Sequence, residues 1–143
     1  MRILGLDLGT KTLGIAISDE REIIATGLEN FEFKPFDFKA AYQRVQEIVE
    51  LYKVQEIVIG LPYHLHGEQS KGVEMVLRFK AQLEEELKLP VVTFDERWTT
   101  KIATSYLLEA DVSRKKRKKV IDKLAAVVIL QDYLDRKGRK KDG

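Results

Sequence analysis

Hydrophobic and polar residues alternate along the first nineteen residues of the chain, MRILGLDLGTKTLGIAISD. Successive side chains of a strand point to opposite faces, so the three leucines of the segment LGLDL share one face. The same alternation returns over Leu13–Ser18, after the turn-forming residues Gly9–Lys11. The pattern predicts a β-hairpin whose leucine face is buried.

The rest of the chain alternates between helical and strand patterns. Ala41, Val45, Ile48 and Tyr52 recur at helical spacing, and the short apolar run that follows is typical of a buried parallel strand. The predicted elements are a strand over Ile23–Leu28 that could extend to Phe31, a helix over Phe38–Lys53, a strand over Glu56–Gly60, a helix marked by Val76, Phe79, Leu83 and Leu87, a strand over Pro90–Phe94, a helix from Thr99 or Thr100 to Glu109, and a helix over Lys118–Leu134.

This order predicts an α/β fold with a five-stranded mixed sheet flanked by helices. Its first three strands are expected to be antiparallel and its fourth and fifth parallel. We expect one domain over residues 1–136 and a basic, disordered tail over residues 137–143. A chain of 143 residues is long enough to bury a core without covalent staples.

Asp7 is an unusual residue for the middle of a strand. Aspartate is depleted in strands, and a buried carboxylate is costly unless it is paired or bound to a metal. The neighbouring Gly5 and Gly9 leave space around it. This stretch alone supports two interpretations equally: a functional carboxylate, or one that hydrogen-bonds locally to the hairpin turn.

Two further acidic residues occupy informative positions. Glu96 follows the fifth predicted strand, and functional sites in open sheets gather beyond the carboxyl ends of parallel strands. Asp122 precedes Ala125 and Ala126 by one helical turn. These small residues would let the last helix approach the sheet closely, which would bring Asp122 toward Asp7.

Asp7, Glu96 and Asp122 together predict a metal site. Carboxylates that share a site repel each other without a cation, and oxygen ligands suit Mg²⁺ or Mn²⁺. Two such ions would stabilise the attacking and leaving oxygens of a phosphodiester displacement. In the competing interpretation, each acid forms a surface ion pair with a basic neighbour, for example Glu96 with Arg97. Because the acids come from three separate elements, we favour the metal site.

Charge is distributed unevenly along the chain. Residues 1–112 contain 13 basic and 19 acidic residues, whereas residues 113–143 contain 12 basic and 4 acidic residues. A basic segment on an acidic body indicates a polyanionic partner, with nucleic acid the first candidate, although a solvated tail gives the same pattern. The predicted nucleic-acid-binding residues are Lys11, Arg97, Arg114, Lys115, Lys116, Arg117, Lys118 and Lys119.

Composition limits which cellular compartments and which classes of protein fit the sequence. Cysteine is absent, which excludes disulfides and thiolate metal sites and fits a cytoplasmic protein. No apolar run in the sequence is long enough to span a bilayer, so a membrane partner is not expected.

Four motifs, in this order, resemble the YqgF family of pre-16S rRNA nucleases, also called RuvX-like. The motifs are Asp7-Leu8-Gly9-Thr10-Lys11 with Gly14, Gly60-Leu61-Pro62 with Gly67, Asp95-Glu96-Arg97 with Thr99-Thr100, and Ile121-Asp122 with Ala125-Ala126. The resemblance runs from Ile3 to about Leu134.

The resemblance implies a ribonuclease H-like fold related to the Holliday-junction resolvase RuvC. It implies a metal-dependent nuclease of the bacterial cytoplasm that processes the 5′ end of pre-16S ribosomal RNA. The family's acidic positions fall on Asp7, Glu96 and Asp122. Expected partners are structured RNA, branched DNA and ribosomal precursor particles, and the expected state is a monomer or a weak homodimer.

Three functions compete at this point. The first is a nuclease, with pre-16S RNA as the favoured substrate and junction DNA as the alternative. The second is a nucleic-acid-binding module without catalysis, for which the basic run alone would suffice. The third is an ATP-binding protein of the actin and sugar-kinase type, whose phosphate loop Gly5–Thr10 also resembles. Such proteins need two domains around a cleft, and we predict only one here.

Overall fold

The computed structural model describes the backbone of residues 1–61, 71–95 and 114–142, and the side chains of residues 1–61, 72–94 and 124–138. The elements in these ranges are β1 (Arg2–Leu8), β2 (Thr12–Ser18), β3 (Ala25–Glu32), α1 (Phe38–Tyr52), β4 (Val54–Leu61), α2 (Lys71–Leu87), β5 (Val91–Asp95) and α3 (Arg114–Asp142). The helix predicted to end at Glu109 and the loop between β4 and α2 lie outside the described residues.

The first strand lies at the centre of one five-stranded sheet, in the order β3-β2-β1-β4-β5. β2 is antiparallel to both β1 and β3, whereas β4 is parallel to β1 and β5 is parallel to β4. The predicted mixed sheet is therefore confirmed. Its parallel strands are the ones preceded by helices, because parallel neighbours need a long crossover connection.

The alternation in β1 separates two cores, one on each face of the sheet. The leucine face of β1 packs with residues of α1 and α2, among them Val45 and Phe79. The opposite face packs against α3, where Ile3 shares a cluster with Ile129 and Leu130. Asp7 belongs to the second face, because it follows Ile3 by an even number of positions.

The limits of α1 have local causes. The Asp37 carboxylate accepts a hydrogen bond from the Ala40 backbone N–H at 3.4 Å and so caps the first turn. Lys53 adopts a left-handed conformation with φ of 55°, and its N–H bonds to the Val49 carbonyl. The prediction of a helix over Phe38–Lys53 is therefore confirmed to within one residue.

The third strand begins later than predicted. Ile23 and Ile24 are exposed and lie before β3, and their backbone N–H groups donate to the Asp19 carboxylate at 2.7 and 2.9 Å. These bonds hold both residues in the turn, although their side chains favour a strand. The predicted start at Ile23 is therefore wrong by two residues. The strand continues through Phe31 to Glu32.

The last helix extends beyond both predicted limits. It begins at Arg114 rather than Lys118, and it continues to Asp142 rather than ending at Leu134. The prediction of a disordered tail from Lys137 is wrong over these residues, whereas the domain boundary at residue 136 stays a prediction. Although α3 has 29 residues, no helix within the described ranges is long and apolar enough to cross a membrane.

Candidate active site

Asp7 is a half-buried residue near the carboxyl end of the central strand. Gly14 of β2 lies directly opposite it in the antiparallel register. On the other side, Leu6 pairs with Ile59 of β4, and Gly60 comes next along that strand. Because glycine has no side chain, Gly14 adds no side-chain atoms beside Asp7 on the α3 face, although the residue itself is buried.

The β1–β2 turn is closed by backbone groups. The Gly9 N–H donates to the Thr12 carbonyl at 2.8 Å. A Cβ atom added to Gly9 would lie 3.2 Å from the Thr12 hydroxyl oxygen, so this turn is tightly packed. A backbone hydrogen bond therefore closes the turn directly after Asp7.

The last helix packs directly against the backbone of β1. A Cβ atom added to Gly5 would lie 2.7 Å from the Leu130 Cβ and 3.1 Å from the Ala126 carbonyl oxygen. Real Cβ atoms do not approach other atoms so closely, so a side chain at position 5 would displace α3. Gly5 is thus the contact that permits the close helix–sheet approach predicted from Ala125 and Ala126, both of which are buried.

The direction of α3 along β1 follows from two sets of contacts. Tyr133 and Lys137 bond to Glu56, which pairs with Ile3 near the start of β1. Ala126 and Leu130 lie against Gly5 further along the strand. Earlier residues of α3 therefore lie toward the end of β1 that carries Asp7. Backbone position 122 is four residues before Ala126, about 6 Å along the helix axis.

The other predicted site residues are described only in part. Asp122 and the basic run Arg114–Lys119 belong to the described helical backbone, but their side chains lie outside the described residues. Glu96 and Arg97 lie outside the described residues altogether. Lys11 is exposed in the turn after β1. Among the side chains that are described, no group of three acids or histidines is placed to hold a metal ion.

The opposite end of α3 is tied to the sheet by a polar network. The Tyr133 hydroxyl donates to the Glu56 carboxylate at 2.9 Å, and the Lys137 ammonium lies 3.0 Å from Glu56 and 2.9 Å from Glu22. Burial, and then the bond to Glu56, raise the pKa of Tyr133 to about 12. Burial alone would lower the pKa of Lys137, but its bonds to Glu22 and Glu56 raise it.

Two hydrogen bonds of Gln131 also hold α3 to the edge of the sheet. The Gln131 side-chain oxygen accepts from the Ala25 backbone N–H at 2.9 Å, and its amide nitrogen donates to the Ile23 carbonyl at 2.8 Å. Both backbone groups lie where β3 begins. Gln131 therefore fixes the helix against the edge strand as well as against the centre of the sheet.

Asn30 was not identified by the sequence analysis. It lies inside β3 directly opposite Gly14, and its side-chain oxygen is buried without a hydrogen-bond partner. The sequence contains a signal that could have indicated it, because asparagine is depleted in strands just as aspartate is. The strand was predicted over Ile23–Leu28 with its extension to Phe31 left open, so Asn30 was not established as an interior position.

A groove of about 590 Å³ lies on the leucine-face side of the β1–β2 turn. Its walls are mainly apolar, with Phe36, Phe38 and Phe79 among its lining residues and Thr10 at the turn. Asp7 belongs to the opposite face of the sheet, so this groove is separate from the space beside the carboxylate.

Comparison with known proteins assigns the family. The RuvX family model, described as a Holliday junction resolvase, matches residues 1–136. A Geobacillus sp. (strain WCH70) protein named "Putative pre-16S rRNA nuclease" is 50% identical over 137 residues, which cover 96% of this chain and 99% of that protein. A Bacillus cereus (strain AH187) protein of the same name is 51% identical over 137 residues, covering 96% and 100%.

Solved structures show the same fold at much lower identity. T. thermophilus RuvC in complex with a Holliday junction substrate has a TM-score of 0.62 and 16% identity, with 96% of each chain covered. Fowlpox virus resolvase in complex with Holliday junction DNA has a TM-score of 0.59 and 13% identity, with 95% of this chain and 98% of that chain covered. These similarities confirm the predicted ribonuclease H-like fold.

The family assignment also confirms the predicted class of enzyme. A nuclease hydrolyses phosphodiester bonds, and the full-length relatives at half identity carry a nuclease name. The match extends over nearly the whole chain, including every motif from which the resemblance was inferred. The chain therefore belongs to the RuvX family.

Proposed function

We propose that this protein is a metal-dependent endonuclease that processes the 5′ end of pre-16S ribosomal RNA, with Asp7, Glu96 and Asp122 as its metal ligands. The observation that carries the proposal is the close packing of α3 on β1 at Gly5. This packing and the direction of the helix carry position 122 toward the strand end that holds Asp7.

Two distances support the meeting of these acids. Asp7 is two strand residues beyond Gly5, about 7 Å along β1. Asp122 is one helical turn before Ala126, about 6 Å along α3. Ala126 lies against Gly5, so the distance along β1 to Asp7 and the distance along α3 to position 122 both run in the same direction from this contact. Asp122 also shares a helix face with Ala126.

Glu96 joins the set through the alternation of β5. Phe94 packs with the core on the α3 face, and Glu96 lies two positions after it. Continued alternation would place Glu96 on that same face, at the carboxyl end of a parallel strand. The proposal therefore takes one carboxylate from β1, one from the end of β5 and one from α3.

The residues fit a divalent cation by the chemistry of their donors. Three carboxylates offer the hard oxygen ligands that Mg²⁺ and Mn²⁺ prefer. Gly14, which pairs with Asp7, has no side chain that would compete with an ion for this position. When bound, two such ions would activate water and stabilise the leaving oxygen of a phosphodiester.

Basic residues next to the acids would hold the substrate. Arg114–Lys119 open α3, where the helix dipole disfavours cations, and the run ends three residues before Asp122. Bound phosphates would offset that repulsion and would make binding salt-dependent. Lys11 in the β1–β2 turn and Arg97 beside Glu96 would add contacts near the same strand ends.

Partners and compartment follow from this function. We propose structured RNA and ribosomal precursor particles as the partners, in the bacterial cytoplasm. A monomer or a weak homodimer would suffice for cutting one RNA strand. Branched DNA is the alternative substrate, because the matched family is described as a Holliday junction resolvase and the RuvC fold is shared. Cutting both strands of a junction would require a symmetric dimer.

A paired cleavage assay tests the proposal. Precursor 16S RNA and a four-way DNA junction are each incubated with wild type and with Asp122→Asn, with Mn²⁺ and with chelator. We expect wild type with Mn²⁺ to cut the RNA near its 5′ end and Asp122→Asn to leave it intact. Faster cutting of the junction would select the alternative substrate, and RNA cleavage that survives Asp122→Asn would remove Asp122 from the ligand set.

A further inference from the structure

Asn30 contains a buried polar atom that the fold does not satisfy. Its side-chain oxygen is shielded from solvent, and no hydrogen-bond donor in the structure reaches it. Leaving a buried acceptor unpaired destabilises the folded state, because the group loses its hydrogen bonds to water. Native proteins hold few such groups, and a missing water or ion is a recurring explanation. Asn30 is also the single asparagine in the sequence.

The sheet register places this amide in one row with Asp7. Asp7 of β1 pairs with Gly14 of β2, and Gly14 pairs with Asn30 of β3. Residues paired across antiparallel strands point to the same face, so the carboxylate and the amide both lie on the α3 side. Two strand spacings separate their backbones, about 10 Å in all.

The position between Asp7 and Asn30 has no side chain. Gly14 is flanked in the sheet by the carboxylate-bearing Asp7 on one side and the amide-bearing Asn30 on the other. A direct bond between these two oxygens would need a shared proton or a donor between them, because both are acceptors when Asp7 is ionised. A water molecule can supply such a donor to the Asn30 oxygen.

We propose that Asn30 is a positioning residue for the metal site, accepting a hydrogen bond from water of a hydrated divalent cation held by Asp7. This inference rests on the proposed function. Mg²⁺ dehydrates reluctantly and keeps several waters, so its environment needs acceptors beyond the direct ligands. Such outer partners orient the bound shell, and losing one typically weakens metal affinity about 10- to 100-fold.

The proposal predicts that replacing Asn30 affects metal affinity but does not lower the stability of the metal-free protein. A merely structural asparagine would stabilise the metal-free protein, and its replacement would lower stability. The Asn30 side-chain oxygen has no bond to lose in the metal-free protein, and valine is similar in size and favours strands. Asn30→Val should therefore keep or raise the metal-free unfolding temperature while weakening the binding of Mn²⁺.

The experiment measures Mn²⁺ binding by titration calorimetry and metal-free unfolding by circular dichroism. For Asn30→Val we expect Mn²⁺ affinity to fall roughly 10- to 100-fold. Asn30→Asp keeps an acceptor oxygen and should retain affinity. The matched control is Thr26→Val, an exposed residue of the same strand that pairs with Ile17 and so lies on the leucine face. It should leave Mn²⁺ affinity unchanged.

Asp7→Asn serves as the reference variant in the same titration. If Asp7→Asn loses Mn²⁺ affinity and Asn30→Val keeps it, the role of Asn30 is overturned while the metal site stands. If neither variant changes affinity, the proposed metal site itself is wrong. If Asn30→Val lowers metal-free stability without changing affinity, the amide binds an ordinary structural water, which also overturns the inference.

Discussion

At the scale of single residues, Asp7 and Asn30 lie on the same face of the sheet, but only one of them could be predicted from the sequence. Asp7 could be predicted, because a carboxylate inside a strand with leucines on alternate positions is rare enough to require an explanation. Asn30 could not, because it falls between Leu28 and Phe31, where the sequence left the end of the strand open. Its lack of a partner depends on three strands meeting, which no local pattern encodes.

Tyr133 gives a residue-scale prediction about alkaline pH. Burial and the bond to Glu56 raise its pKa from the model-compound value of 10 to about 12. Between these values the folded state keeps a proton that the unfolded state has lost, so stability falls as pH rises through this window. Tyr133→Phe removes this contribution. We expect a shallower loss of stability from pH 10 to 12, measured by urea unfolding.

The same substitution should lower stability near neutral pH by about 1 kcal/mol, because the bond to Glu56 is lost. Tyr52→Phe is the matched control, because the contact of Tyr52 with the Arg2 guanidinium is made by its ring and would survive the loss of the hydroxyl. Equal alkaline slopes for wild type and Tyr133→Phe would contradict the role assigned to Tyr133.

At the scale of elements, the position of α3 decides whether a site can exist. The sequence predicted its close approach from Ala125 and Ala126; both are buried, and Ala126 packs in one cluster with Ile3 of β1. The sequence could not show that Gly5 is the opposing contact, because the pairing of a helix residue with a strand residue 120 or more positions away requires the folded chain. Nor could the sequence show the hydrogen bonds of Gln131 to the backbone at the start of β3.

Errors in the predicted elements have local physical causes. Ile23 and Ile24 favour a strand by composition, yet the Asp19 carboxylate captures their N–H groups in the turn. The basic end of the chain resembles a solvated tail, yet Lys137 is held by Glu22 and Glu56 from two other elements. In both cases a bond to a charged side chain outside the segment overrides the structure that the segment's own residue pattern predicts.

Substitution of Gly5, with Gly138 as its control, tests whether the packing of α3 on β1 positions the site. Gly5→Ala should cost about 1–3 kcal/mol, because the new methyl group overlaps Leu130 and pushes α3 away from β1. Cleavage activity should fall under conditions in which the variant is still folded, since Asp122 moves with the helix. Thermal unfolding together with RNA cleavage measures both effects.

Gly138→Ala is the matched control for this test. A Cβ atom at position 138 meets nothing within 4 Å, and the residue lies within α3. Alanine there should stabilise the protein by up to about 1 kcal/mol through helix propensity alone. If Gly5→Ala were as stable and as active as Gly138→Ala, the close packing of α3 on β1 would not position the site.

At the scale of the whole molecule, the two ends of the sheet have different tasks. The end near Glu56 anchors α3 through the Tyr133 and Lys137 network. The other end carries Asp7 and receives the start of α3, with its run of six basic residues at Arg114–Lys119. An acidic body with basic residues at one end suits the polyanionic substrate that we propose.

The most direct test of this account is metal-dependent cleavage by Asp7→Asn. Asparagine keeps the size of the side chain and removes the charge, so the fold should be retained. With Mn²⁺ and pre-16S RNA, we expect wild type to cut and Asp7→Asn to be slower by more than about a hundredfold, beyond the usual cost of losing an outer partner. Wild-type rates for Asp7→Asn, or equal cleavage by wild type in chelator, would contradict the account.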